Sequence, residues 1–307
     1  MDNIQGKFLG CFLGLAIGDA LGHPYEWNYK NKVKGIPDKP YWNSKDECFY
    51  QPGTWTDDTS MSLCLADSLL KRGGYNDLDA LYTYLRWYRS GYLSCTGKAI
   101  GTGKRTREAL ELFESVGIDL KYIGNPNSHG NGSLMRVAPI AMFHYKHYKF
   151  EVARLGQESS QTTHATIESE LCCRFYSEMI HNALHGKCKR DILNVNYLFG
   201  LKPTVTPDAI KVIMNREYKD LKLQKSTSYV VDTFRLALYC FYNTNSFKDG
   251  ALMAVNFGGD TDTVASVYGA LAGAYYGYDS LPIKWLRKLK QRKTIEQYAN
   301  ALYYNNF

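Results

Sequence analysis

Apolar residues recur at helical spacing along most of this chain. The first apolar run, Phe8 to Leu21, is punctuated by Gly10, Gly14 and Gly18, with Gly22 following, one glycine every fourth residue. Residues four apart share one face of a helix, so the glycines form a stripe against which a second backbone can pack closely. Each helical Gly costs about 0.5–1 kcal/mol relative to Ala, so four in register call for a packing role. Residues 58–71 read as a second helix. Asp77 to Ser90 reads as a third, its Leu, Tyr and Trp positions falling three and four apart. Further helices are predicted over 104–115, 133–146, 149–161, 165–185, 207–215, 228–243, 247–256, 261–276 and 282–304. No run alternates in the manner of a sheet. Segments 28–53 and 116–132, rich in Gly, Pro, Asn and Lys, read as surface loops, and 186–227 is the least patterned stretch, with room for an insertion. Without a fixed-period repeat or a low-complexity linker, the reading is all-α, a single compact orthogonal helical domain over 1–307.

Composition changes this picture little. Hydrophobic residues make up 45% and charged residues 22%, the proportions of an ordinary globular protein with a buried core. The net charge of +7 is scattered except for a run from Lys284 to Lys293, read as the solvated face of the last helix. A nucleic-acid partner is therefore not expected, since that would need a basic patch or stripe, whereas a basic surface does suit an anionic small ligand. The eight cysteines include no Cys-x-x-Cys pair and no zinc-type spacing, which points to reduced core thiols in a cytoplasmic protein. Lys7 and the apolar run after it imitate an export signal, but Asp19 follows at once without a clear cleavage site, so a core helix is the expectation. No other segment approaches a membrane span.

Two acidic clusters stand out, Gly53-Thr-Trp-Thr-Asp-Asp-Thr59 and Asn256-Phe-Gly-Gly-Asp-Thr-Asp-Thr263, each just ahead of an apolar helical segment. One reading is helix capping, in which Asp or Thr accepts from the free N–H groups of the first turn. The other is a metal site. A cap needs only one such residue, and neighbouring carboxylates repel unless a cation lies between them. Oxygen-only ligands suit a hard ion such as Mg²⁺. The metal reading is preferred.

At this point the sequence resembles the ADP-ribosylglycohydrolase family, through five blocks in the family's order that span roughly 4–300. They are Gly10-Cys-Phe-Leu-Gly-Leu-Ala-Ile-Gly-Asp-Ala-Leu-Gly22 with Glu26, Thr54-Trp-Thr-Asp-Asp-Thr-Ser-Met61, Gly130-Asn-Gly-Ser-Leu-Met-Arg-Val-Ala-Pro139, Thr163-His-Ala-Thr166 with Glu168, and Asn256-Phe-Gly-Gly-Asp-Thr-Asp-Thr-Val264. The resemblance implies an all-α fold with a dinuclear metal cleft holding two Mg²⁺ ions, which Mn²⁺ can replace. The matching ligands are Thr56, Asp57, Asp58, Asp260, Asp262 and Thr263. It implies hydrolysis of the glycosidic bond between ADP-ribose and a modified acceptor, with ADP-ribose as product, the ions orienting the ribose for attack by water. Glu26 matches a catalytic glutamate in part of the family and is the candidate for the proton transfer that such a cleavage needs. Gly130, Asn131, Gly132, Ser133 and Met135 are expected to bring backbone N–H groups to the pyrophosphate, and His164 to line the ADP-ribose pocket. Ser228-Tyr-Val-Val-Asp232 matches a further segment near the substrate.

The sequence also departs from the family. In the nitrogenase-regulating branch an Asp with a catalytic role follows the Ser-x-Thr-Gly stretch; here that stretch is Ser94-Cys-Thr-Gly97, and Gly101 aligns with the Asp. This weakens transfer of that branch's arginine specificity and leaves the acceptor open among arginine, serine, a base and a small metabolite. Two other readings stand beside the hydrolase: a non-catalytic ADP-ribose binder such as the family's crystallin members, and a dinuclear phosphohydrolase that would cut the pyrophosphate. A monomer with no membrane contact is expected.

Overall fold

In the computed structural model, residues 3–27, 32–43, 47–117, 127–195 and 206–307 are described. The helices are α1 (Asn3–Gly22), α2 (Asp57–Arg72), α3 (Asp77–Ser90), α4 (Lys104–Val116), α5 (Ala138–Phe143), α6 (Lys149–Ser160), α7 (Ile167–Leu184), α8 (Lys189–Ile192), α9 (Asp208–Met214), α10 (Val230–Asn243), α11 (Phe247–Asn256), α12 (Thr261–Tyr276), α13 (Ile283–Lys288) and α14 (Arg292–Tyr304). The all-α expectation holds, with one addition. Within the predicted loop 28–53, β1 (Tyr41–Asn43) pairs antiparallel with β2 (Cys48–Tyr50), Trp42 opposite Phe49. Residues 28–31, 44–46 and 118–126 of the two predicted loops, and 196–205 of the unpatterned stretch, lie outside the described residues.

The centre of the molecule is the pair α1 and α12. A Cβ placed on Gly10 would meet the Gly273 carbonyl oxygen at 2.3 Å, one on Gly14 the Gly269 oxygen at 2.3 Å, and one on Gly18 the Ala265 oxygen at 2.0 Å. One on Gly22 would lie 2.4 Å from the Asp262 backbone. The partners descend in number as the stripe ascends, so the helices run antiparallel with their backbones in contact. No side chain larger than hydrogen fits at Gly10, Gly14, Gly18 or Gly22. Thr261 Oγ1 completes it by donating to the Gly22 carbonyl at 2.8 Å. The seam therefore holds the start of α12 against the end of α1. By length and hydropathy α1 also qualifies as a membrane span, but it is the core helix, buried along most of its length and against neighbours on every side.

Two predicted helices are shorter or split. The helix predicted over 133–146 reduces to Ala138–Phe143, because buried Arg136 holds the preceding turns in another shape. Its guanidinium donates to Gly132 O (2.9 Å), Thr162 Oγ1 (3.0 Å) and Thr163 Oγ1 (2.7 Å). The helix predicted over 282–304 breaks into α13 and α14 at Gln291, which has a left-handed φ of 46°. There Lys290 N donates to Gly53 O at 3.0 Å, and Trp55 Nε1 donates to Lys290 O at 2.8 Å. The basic run in that segment is also not simply solvated. Lys288 Nζ donates to the carbonyls of Ile36 (2.7 Å) and Pro37 (3.1 Å) and to Asp38.

Candidate active site

The seam between α1 and α12 sets the position of both acidic clusters. Asp57 and Asp58 open α2, and Asp260 immediately precedes α12, with Asp262 in its first turn. Thr56 and Asp260 occupy the N-cap positions of these helices, yet neither side chain makes a capping hydrogen bond. Asp260 is thus not serving as a cap, and the carboxylates of the two turns converge. Ligand atoms of Asp19, Asp58 and Asp262 lie within 4.8 Å of one another, as do those of Glu26, Asp260 and Asp262. Thr56 Oγ1 and Thr263 Oγ1 approach Asp58 Oδ2 at 3.4 and 3.5 Å. Asp58 Oδ1 is buried without a hydrogen-bond partner among the described residues.

Such a cluster is electrostatically unfavourable without a cation. Burial raises the Asp58 carboxyl well above the usual carboxylate range, and the charges of Asp19, Asp57, Asp260 and Glu26 raise it further. Every candidate donor is an oxygen, the set that hard divalent ions take, and the unpartnered Oδ1 of Asp58 is an open coordination position. The residues fit a metal centre.

Asp19 was not singled out from the sequence, although it lies within the first motif block. It is fully buried and accepts from four donors: Thr56 N (3.0 Å), Thr56 Oγ1 (2.9 Å), Thr59 N (3.0 Å) and Thr59 Oγ1 (2.6 Å). Burial raises its pKa and these donors oppose the rise. Asp19 thus ties the acidic turn before α2 to the last turn of α1. The signal that could have found it is a charge within an otherwise apolar helix, which has to be paired or coordinated.

Above the carboxylates lies a cleft of about 350 Å³, within the range of small-molecule sites. Glu26, Asp57, Asp260, Asp262 and Thr263 line one side, while Gly130, Asn131, Gly132, Met135 and His164 line the other. Thr56 and Asp58 lie buried beneath the floor. Among the expected substrate residues, Ser133 stands apart: it does not line the cleft, and its Oγ accepts from Ser160 Oγ at 2.7 Å. Asn131 joins the two walls, its Nδ2 donating to Asp260 Oδ2 and Thr233 Oγ1, both at 2.9 Å. The loop is fixed to residues 228–230 by Asn131 N to Ser228 O (3.0 Å) and Val230 N to His129 O (2.9 Å). Ser228 lines the cleft, whereas Asp232 turns aside to accept from Thr227 Oγ1 and pair with Arg235. Glu168 is likewise structural, accepting from the N–H groups of Asp208 and Ala209 at the start of α9 (2.8 Å each).

His164 is buried, shares a hydrogen bond of 2.7 Å with Thr163 Oγ1, and has its pKa lowered to about 3 by burial and by the nearby Arg136 and Arg105. It is neutral at physiological pH. Lys104 and Arg105 bring positive charge to the rim. Gly101 lies on the same rim with φ +80°, and a Cβ there would fall 2.5 Å from Asp57 Oδ1. Position 101 has no room for a side chain, so an Asp could not be accommodated there without moving the loop or Asp57.

The fold and cleft together define a helical protein organised around one carboxylate-lined, glycine-flanked pocket. The ADP-ribosylglycohydrolase family model matches residues 1–306, and the chain belongs to that family. Similar proteins include the ADP-ribosylarginine hydrolase Tri1 of Serratia proteamaculans, 34% identical over 97% of this chain and 79% of that protein. The ADP-ribosyl-[dinitrogen reductase] glycohydrolase of Rhodospirillum rubrum is 29% identical over 98% of this chain and 96% of its own length. A solved structure, an ADP-ribosylglycohydrolase-related protein complex, superposes with a TM-score of 0.84 at 34% identity, covering all of both chains.

Proposed function

We propose that this chain is an ADP-ribosyl-acceptor hydrolase that releases ADP-ribose from a modified protein side chain with the help of two Mg²⁺ ions. The observation that carries the reading is the meeting of two acidic turns around Asp58, whose buried Oδ1 has no partner among the described residues. Asp57, Asp58, Asp260 and Asp262, with the hydroxyls of Thr56 and Thr263, are the groups that would hold the ions. When bound, the ions would supply orientation of the ribose hydroxyls and compensation of charge at the reacting centre.

The chain's own residues do the rest. Gly130 and Gly132 let the loop backbone pack against His164 within the cleft wall, where its N–H groups could meet a pyrophosphate, and Lys104 and Arg105 complement that charge from the rim. Neutral His164 closes that wall without attracting a proton. Glu26, next to Asp260 and Asp262, takes a proton from water as the water oxygen bonds to the anomeric carbon. The bond from that carbon to the acceptor breaks, and the acceptor atom receives the proton that Glu26 took up. A protein arginine is the acceptor favoured, supported by the activity named for the Serratia relative.

The test is incubation with an arginine-ADP-ribosylated protein in Mg²⁺ or in EDTA, with products resolved by chromatography. Free ADP-ribose in Mg²⁺ alone is the expected result. AMP would identify a phosphohydrolase instead. Ligand binding without release from arginine, serine or base conjugates would make the protein a non-catalytic binder.

A further inference from the structure

Trp27 carries a combination of features that packing does not explain. Glu26 has φ −54° and ψ 124°, and Trp27 follows with φ +58°. These are the angles of a type II turn, whose third residue favours Gly or Asn because its φ is positive. A bulky aromatic residue there is strained. The strained peptide is held at both ends. Trp27 N donates to the Gly259 carbonyl at 2.7 Å, and the indole Nε1 folds back to donate to Glu26 Oε1 at 3.0 Å. Gly259 is itself fixed: its φ is +67°, a Cβ on it would lie 2.0 Å from the Ser226 carbonyl oxygen, and the next residue is Asp260. The indole stays half exposed and lines the cleft.

We infer that Trp27 is a positioning residue for Glu26: its left-handed backbone, tied to the turn before Asp260, swings the indole N–H onto the Glu26 carboxylate and sets that carboxylate beside Asp260 and Asp262. An extended residue at 27 would direct its side chain away from that of its neighbour. The left-handed turn brings the two side chains together, so the strain and the hydrogen bond are parts of one device. The backbone bond to Gly259 makes the setting of Glu26 follow the setting of the acidic turn. A Gly at position 27 would relax the turn and lose the latch.

This inference rests on the proposed hydrolase reading, and its test separates the two. Trp27→Phe keeps the ring and removes the donor. Expected are a fall in kcat of about tenfold, the order that one hydrogen bond to a charged group supports, and an unchanged KM. The fall should vanish when Trp27→Phe is introduced into Glu26→Gln, because the effect acts through Glu26. Trp27→Gly should melt no lower than the parent yet lose at least as much turnover. An unchanged kcat, a loss carried entirely by KM, or an equal loss in the Glu26→Gln background would overturn the positioning role. A readout independent of activity is the ¹⁵N–¹H signal of the Trp27 indole, which should move on Glu26→Ala. A signal that stays in place refutes the latch whether or not the protein hydrolyses anything. Failure of the parent protein to release ADP-ribose, with the signal responding, would refute the hydrolase reading alone.

Discussion

Asp58 and Asp19 carry unequal burdens although both are fully buried carboxylates. Asp19 is surrounded by four donors, whereas Asp58 faces other carboxylates with one oxygen unpartnered among the described residues. Removing charge from the cluster and removing the tie beneath it should therefore give different phenotypes. Asp260→Asn should weaken Mg²⁺ binding in calorimetry while the metal-free melting temperature holds or rises, because it relieves repulsion on Asp58. Asp19→Asn should lower stability by about 3 kcal/mol in urea unfolding, since its amide group would face N–H and O–H donors. A metal-free Asp19→Asn protein as stable as the parent would show that the four donors do not hold the turn. The acidic turns were legible in the sequence because paired carboxylates exceed what a cap needs. Asp19 was not, since an apolar run hides a charge whose partners lie 37 and 40 residues away. From the sequence Gly132 is expected only to bring its backbone to the pyrophosphate, and the structure adds a packing role. A Cβ there would meet His164 Cε1 at 2.9 Å and Thr106 Oγ1 at 3.1 Å, so Gly132→Val displaces the cleft wall itself.

At the scale of elements, the glycine seam between α1 and α12 is the feature that makes a site at all. Gly18→Ala puts a methyl 2.0 Å from the Ala265 carbonyl oxygen, which a rigid backbone cannot absorb. It should cost at least 1–3 kcal/mol, roughly the penalty of overpacking a core, and should also weaken metal binding by parting Asp19 and Asp262. Gly74→Ala, where nothing lies within 4 Å, should leave both unchanged. Equal unfolding midpoints for the two variants would count against the seam. The stripe was readable from spacing alone, but its partner was not, because α12 offers only Gly269 and Gly273 among larger residues. The same limit explains the other differences. Periodicity extended a helix through 133–137 because it cannot see the buried Arg136 guanidinium, and ran α13 into α14 because the contact of Lys290 with Gly53 is non-local. The hairpin of β1 and β2 escaped notice because strands of three residues are too short to alternate visibly.

Across the whole molecule, three buried histidines set the response to acid. Burial is the first cause that lowers the pKa of His144 and His181 to about 4 and of His164 to about 3, from an ordinary value of 6.5. The unfolded chain therefore takes up these protons first, so the histidine contribution to stability is complete above pH 6.5 and is lost as pH falls toward 4. Buried carboxylates with raised pKa values act in the opposite sense when no metal is bound, so the histidine share is isolated by comparison. Between pH 7 and 5 the urea midpoint should fall less in His181→Asn than in the parent, both at saturating Mg²⁺, and identical slopes would refute the assignment. The glycine seam has a consequence in time as well as in space. Its closing bond, Thr261 to Gly22, spans 239 residues. At roughly 5–20 residues per second of synthesis, α1 waits on the order of ten seconds or more for the helix that covers it. During that interval a 20-residue apolar helix is a ready target for holding chaperones and for aggregation. Neither half of the carboxylate cluster can close on a cation until the ribosome has passed α12.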